Sequence, residues 1–295
     1  MTFIEEIKAK AKQDKKTIVL AEGEEMRTII AADKVLKEGT ADLILLGNES
    51  KIKELAKGYD ISAAKIICPE EDEHYESFCE KFYEMRKLKG MTPEKARETL
   101  KSVLYYGVML VKEGFADGMV AGAVNATSDV LRPSLQILKT APGTKLVSAF
   151  FAMIVPDCKY GENGTFVFAD CGLNQDPSAE EHSEIAISSA ASFKALFGKE
   201  PKVAMLSHSS FGSAKHELVD KVVEATRLAK EKAPDLKLDG ELQLDAAIVP
   251  EIGKAKAPGS EIAGHANVLI FPISTREISD ISSFSALPRR KRTDP

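Results

Sequence analysis

The chain has 295 residues, 44% of them hydrophobic and 29% charged, with 40 Lys and Arg against 45 Asp and Glu, a formal net charge of −5. Those proportions belong to a folded globular enzyme and exclude a disordered chain. The acidic balance gives no support to nucleic-acid or anionic-membrane binding, so an anionic ligand must be held by a local cluster of donors. The length accommodates two domains of ~100 to 200 residues each. No apolar run reaches the ~20 residues of a membrane span. The start, Met1-Thr2-Phe3-Ile4-Glu5-Glu6, lacks a basic region followed by an apolar core, so a cytoplasmic location is expected. Cys68, Cys79, Cys158 and Cys171 show no C-x-x-C spacing and read as reduced thiols, with neither a disulfide framework nor a zinc site.

Taken in chain order, Thr17 to Ala21 reads as a buried strand, Glu25 to Glu38 as an amphipathic helix and Ala41 to Gly47 as a second apolar strand, a βαβ unit. A short helix near Glu49 to Lys57, a strand over Lys65 to Cys68 and a longer helix through Phe78, Phe82 and Met85 continue the alternation. Thr92-Pro93 supplies a helix start, with a capping hydroxyl and a proline in the first turn. Asp117 to Gly122 is a short buried strand. After a break at Thr140-Ala141-Pro142-Gly143, Leu146 to Val155 and Thr165 to Asp170 form two apolar strands joined by a turn over Pro156 to Gly164. Ser178 to Leu196 is a helix, Lys202 to Ser207 a strand, Ser213 the cap of a long helix to about Lys232, and Asn267 to Phe271 the last strand. Repeated βαβ units predict parallel sheets covered by helices.

The chemistry concentrates after the strand at Asp117, where ligands of open α/β sheets gather. The stretch from Gly122 to Thr140 packs hydroxyls, an amide and one arginine between a strand and a helix: Asn125, Thr127, Ser128 and Arg132. Pro133 has a fixed φ and no N–H, which suits the first position of a helix from Pro133 to Thr140 and puts Arg132 at its entrance. A helix N-terminus offers unsatisfied donors and positive partial charge, and Thr127, Ser128 and Arg132 beside it would complete a phosphate site. The alternative is an ordinary capped loop. Arg86, at the C-terminal end of a helix, complements the helix dipole on its own account. His208 and His216, near Ser209, Ser210 and Ser213, resemble a nucleophile and base only in spacing; a cap at Ser213 with His216 in the first turn is the simpler reading. Cys158 and Cys171 read as small buried thiols rather than nucleophiles.

The run from Thr127 to Thr140 is accompanied by colinear blocks: Tyr83 to Gly90, Phe168 to Cys171, Gly212 to Glu217, Asp239 to Ala247 and Ala266 to Pro272. Together they resemble the phosphate acetyltransferase (phosphotransacetylase) family from near the start of the chain through Pro272. The resemblance implies two α/β domains with parallel three-layer sheets and a cleft between them, of the type found in isocitrate and isopropylmalate dehydrogenases, and a homodimer. It assigns residues 1–143 to the first domain and 144–272 to the second. It implies reversible transfer of acetyl between coenzyme A and inorganic phosphate, within acetate metabolism. The partners are acetyl-CoA, CoA, phosphate and acetyl phosphate, and no metal or prosthetic cofactor is needed. Arg86, at the position of an arginine that lines the cleft in the family, becomes a substrate-binding residue by this resemblance, beside Asn125, Thr127, Ser128 and Arg132.

The family takes its catalytic base, an aspartate, from beyond a Ser-Arg-Gly-Cys block that this sequence lacks, so no catalytic residue is assigned. From Ile273 to Pro295 the chain departs from the family and ends in a basic run, Arg289-Arg290-Lys291-Arg292, consistent with a change of reading frame just after Pro272. The first domain would then lack its returning segment. Two other readings follow: an inactive domain that binds acetyl-CoA or CoA, and a metal-dependent 2-hydroxy acid dehydrogenase of the same architecture. The second is disfavoured by the absence of an aspartate set and a dinucleotide fingerprint.

Overall fold

The computed structural model describes residues 3–140, 146–170 and 172–273. The chain divides between Lys139 and Thr140 into two compact units. The boundary expected at 143/144 and the tail from residue 274 onward, with its basic run, lie outside the described residues.

The first unit runs α1 (Phe3–Gln13), β1 (Lys16–Leu20), α2 (Met26–Glu38), β2 (Ala41–Leu46), α3 (Glu49–Leu55), β3 (Lys65–Ile67), α4 (Tyr75–Arg86), α5 (Pro93–Leu100), α6 (Val103–Lys112), β4 (Gly118–Val120) and α7 (Thr127–Ile137). Its four strands are all parallel, in the order β3-β2-β1-β4. Successive side chains of a strand point to opposite faces, and the core follows that period. Leu43 and Leu45 of β2 pack with Ile29, Ala32 and Ile52 on one face. Ile44 and Leu46 join Phe78, Phe82, Tyr106, Met109 and Ile137 on the other. α5 begins as its sequence signals, with the Thr92 hydroxyl accepting the N–H of Lys95 and Pro93 in the first turn.

The second unit runs β5 (Phe150–Ile154), β6 (Thr165–Ala169), α8 (Ala179–Phe197), β7 (Val203–Leu206), α9 (Glu217–Lys232), β8 (Leu238–Leu242), α10 (Leu244–Ile248), α11 (Pro250–Lys256) and β9 (Val268–Ile270). Strand order is β5-β6-β9-β7-β8. This sheet corrects the expectation of two parallel sheets, because β5 pairs antiparallel with β6. The cause is the connection: the Pro156–Gly164 segment is a turn with no helix, and a direct return can only make antiparallel neighbours, whereas the strands joined through helices pair in parallel. Phe166, Phe168, Leu206 and Leu269 face α10 and α11, while Val167, Met205, Val268 and Ile270 face α8 and α9.

α8 opens with a capping box. The Ser178 hydroxyl accepts the N–H of Glu181, and the Glu181 carboxylate accepts the N–H of Ser178 at 2.9 Å. Ser178→Ala is expected to lower stability by about 1 kcal/mol, read as a lower urea midpoint, while Ser178→Gly costs only a few tenths; equal losses would show that the cap contributes nothing.

Two expected boundaries are corrected. α7 begins at Thr127 and continues through Pro133, so Arg132 lies inside the helix and not at its entrance. Pro133 denies the Asp129 carbonyl its intrahelical partner. The helix persists because Pro133 and Ile137 are buried against the core and its first turn is anchored from outside, as described below. α9 begins at Glu217, capped by His216, whose Nδ1 accepts the N–H of Leu218 at 3.1 Å; Ser213 is a loop residue.

Candidate active site

In the first sheet the chain moves outward from β1 through β2 to β3 and then returns to place β4 on the other side of β1. The crevice at the carboxyl ends of β1 and β4 is therefore a topological switch point, where the loops leaving neighbouring strands diverge. Leu20 and Val120 are paired there, and the N–H of Ala21 still donates to Val120 at 3.2 Å. The two loops then separate, one into α2 and the other into α7.

Local sequence shapes both loops. Gly23 passes so close to β2 that an added Cβ would lie 2.6 Å from the Leu46 carbonyl oxygen. Gly122 has φ +104, in the left-handed region that an L side chain rarely adopts, which turns the chain as it leaves β4. After that turn, four successive N–H groups converge on one carboxylate. Gly122 and Ala123 donate to Oε2 of Glu22 at 2.9 and 2.6 Å, and Val124 and Asn125 donate to Oε1 at 2.9 and 2.8 Å. The Asn125 side-chain Nδ2 donates to Oε1 as well, at 2.8 Å.

Glu22 is 8% exposed. Burial alone would raise its pKa, but these hydrogen bonds outweigh burial and hold the carboxyl at about 2. From the other side, Nη2 of Arg27 donates to the Ala123 carbonyl at 2.5 Å, and its Nε donates to Glu25 at 2.7 Å.

The segment expected to cradle a phosphate is thus an anion cradle in its geometry, and in the structure its loop donors are taken by Glu22. What remains for a ligand lies one step further along the chain. Ala126, at the N-cap of α7, offers no side-chain acceptor, so no side chain caps the first turn. Thr127 and Ser128 are exposed in that turn. Arg132 projects from the next turn, 61% exposed, with its guanidinium 3.6 Å from Asp129. Asn125, Thr127, Ser128 and Arg132 are therefore brought together on one loop and helix.

Arg86 ends α4, half-buried, and its Nε is buried without a hydrogen-bond partner. α4 and α7 both pack on α6: Phe82 meets Tyr105 with ring centroids 5.7 Å apart, and the Tyr105 hydroxyl bonds Gln136 at 3.3 Å. A cavity of about 300 Å³ at the amino-terminal edge of the same sheet, lined by Thr17, Asp42, Lys65, His74 and Phe115, contains none of these residues.

At the carboxyl edge of the second sheet, a buried glutamate does similar work within its own unit. Oε1 of Glu241, in β8, accepts the Ser209 hydroxyl at 2.8 Å and the N–H of Gly212 at 2.7 Å, which folds down the loop after β7. His216 is spent on its helix cap and Ser209 donates to a carboxylate, so this loop is not arranged as a nucleophile and base. Burial pushes the thiols of Cys68 and Cys79 up, away from the thiolate a nucleophile needs. Cys171 lies outside the described residues.

Sequence reasoning missed Glu22 and Arg27. The segment Ala21-Glu22-Gly23-Glu24 after an apolar strand was a signal, since a carboxylate one residue past a buried strand needs donors. Its partners, however, stand 100 to 103 residues away.

A family model for phosphate acetyl/butaryl transferases matches residues 2–279. The phosphate acetyltransferase of Acetivibrio thermocellus is 61% identical over 272 residues, covering 92% of this chain and 82% of that protein. That of Clostridium acetobutylicum is 56% identical over 274 residues, with the same coverage of both chains. Among solved structures, a phosphotransacetylase from Streptococcus pyogenes superposes with a TM-score of 0.88 at 41% identity over 96% of this chain and 85% of its own. EutD phosphotransacetylase from Staphylococcus aureus superposes with a TM-score of 0.85, also at 41% identity, over 95% and 84%. The resemblance drawn from the colinear blocks is borne out across nearly the whole sequence, and the chain belongs to the phosphate acetyl/butaryl transferase family.

Proposed function

We propose that this chain is a phosphate acetyltransferase that moves acetyl reversibly between coenzyme A and inorganic phosphate. The observation that carries the reading is the donor end of α7, without a side-chain cap and flanked by Thr127, Ser128 and Arg132, in a chain of this family. A phosphate there meets helix donors and positive partial charge, two hydroxyls and a guanidinium whose planar fork matches two oxygens. Arg86 offers a second guanidinium with a buried, unpartnered Nε. In the forward direction a phosphate oxygen attacks the thioester carbonyl and the CoA thiolate leaves. The reverse requires removal of the thiol proton, whose pKa is ordinarily about 8.5. The transfer is redox-neutral and balances with coenzyme A as a substrate and no prosthetic group.

Family membership also supports a homodimer, a cytoplasmic location and the isocitrate/isopropylmalate dehydrogenase type of fold. Among the described residues no helix is long and apolar enough to cross a membrane. The net charge of −5 gives no support to nucleic acid as a partner and leaves a small anion to be held by the local donors.

Release of free thiol from acetyl-CoA, followed with a thiol reagent, tests the reading. Release that saturates with phosphate and yields acetyl phosphate is the expected result. Binding of CoA with no release would favour the inactive binding domain instead, and release indifferent to phosphate would identify a hydrolase.

A further inference from the structure

Glu22 is the most heavily bonded carboxylate of the first unit's carboxyl edge among the described residues, and of the residues expected to meet substrate its hydrogen bonds include only Asn125. Its five hydrogen bonds come from a single stretch, the backbone N–H groups of Gly122, Ala123, Val124 and Asn125 and the Asn125 amide. Arg27 grips the same stretch from its carbonyl side through Ala123. The chain goes directly from this stretch into Ala126 and the open first turn of α7. We propose that Glu22 is a positioning residue for acyl transfer: its carboxylate fixes the 122–125 loop and thereby sets the donor end of α7, with Thr127 and Ser128, against the anionic substrate.

The physical argument has two parts. A row of converging N–H groups is itself an anion nest, which would compete with the first turn of α7 for any phosphate entering the crevice. An internal carboxylate fills that nest permanently and leaves the helix donors as those available. A loop whose N–H groups had no acceptor would also have to find water, and α7 has no side-chain cap to hold its start in place. The carboxylate holds that start from outside the helix, through the loop N–H groups of residues 122–125 and not through those of the α7 first turn. This inference rests on the acyl-transfer reading above.

The test uses Glu22→Ala and Glu22→Gln in the full chain, with steady-state kinetics and amide hydrogen exchange. Glu22→Ala is expected to raise the KM for phosphate at least tenfold with a smaller change in kcat. It should also speed exchange of the amides of residues 122–125 at least tenfold. Formate, a carboxylate small enough for the vacated nest, should restore part of the phosphate KM in Glu22→Ala and none in Glu22→Gln, where the side chain still fills the space. A folded Glu22→Ala protein with an unchanged phosphate KM overturns the proposal. So does a raised KM that formate leaves untouched while the amides of residues 122–125 still exchange slowly, the signature of an effect that does not pass through the loop. If Glu22→Ala does not fold, Glu22→Gln carries the test, and an unchanged KM there counts against the proposal. If the unsubstituted chain releases no thiol, the acyl-transfer reading fails and takes the substrate half of this inference with it. Hydrogen exchange still decides whether Glu22 anchors the loop.

Discussion

Replacing Arg132 with Ala is expected to raise the phosphate concentration needed for half-maximal thiol release at least about tenfold. The guanidinium projects from the second turn of α7, 61% exposed, and its one ionic neighbour among the described residues, Asp129, is 3.6 Å away and 47% exposed. An exposed pair of that length is worth little, so the arginine is available to a ligand. A hydrogen bond to a charged group contributes roughly 1.5 to 3 kcal/mol, or about ten- to over a hundredfold in affinity. The same substitution removes little packing, so thermal stability should move by no more than about 0.5 kcal/mol. Arg132→Lys keeps the charge and loses the fork, and should recover part of the phosphate dependence. An unchanged KM for phosphate and for acetyl phosphate in Arg132→Ala would remove this residue from the site.

The position of Arg132 shows what could be read from sequence and what could not. Its neighbourhood was legible, because a polar loop between a short apolar strand and an amphipathic run at the fourth βα step is a local pattern. The helix start was not. Pro133 argues locally for a first position, and the rule fails because Pro133 and Ile137 are buried where α7 packs on α6, while Glu22, 100 residues back, anchors the entry loop. The partners of Glu22 were invisible for the same reason. β1, β2 and α2 were plain, since each carries an uninterrupted apolar period. β8 was not, because Leu238-Asp239-Gly240-Glu241-Leu242 alternates too weakly to announce a strand, and it forms by pairing with β7 at the sheet edge. The antiparallel β5 followed from a turn without a helix, a feature of the sequence that the overall βαβ rhythm concealed. His216 took the cap from Ser213 because an imidazole nitrogen accepts an N–H as well as a hydroxyl oxygen does.

Acidification should weaken the second unit well before ordinary carboxylates titrate, and His182 is the reason. It closes the first turn of α8, fully buried, and neither ring nitrogen makes a hydrogen bond of normal geometry. Burial first, and the nearby Lys221 ammonium second, lower its pKa from 6.5 to about 3, against an opposing pull from the backbone of Phe271. Lys221 is held in place by Asp176 at 2.7 Å and the Pro272 carbonyl at 3.1 Å. The folded chain therefore keeps a neutral His182 at pH values where the unfolded chain protonates it. Its contribution to stability is complete above pH 6.5 and is lost as pH falls from 6.5 toward 3, by up to about 1.4 kcal/mol per pH unit. Glu22, held at about 2 against an ordinary 4.5, adds its own loss only below pH 4.5. The interval from pH 6.5 to 5 consequently isolates the histidine, with an expected fall of about 2 kcal/mol. His182→Leu, apolar and of comparable volume, should show a flatter dependence by that amount in urea unfolding at pH 7.5 and 5. If the variant and the unsubstituted chain lose stability in parallel over this interval, His182 is not the group that titrates on unfolding.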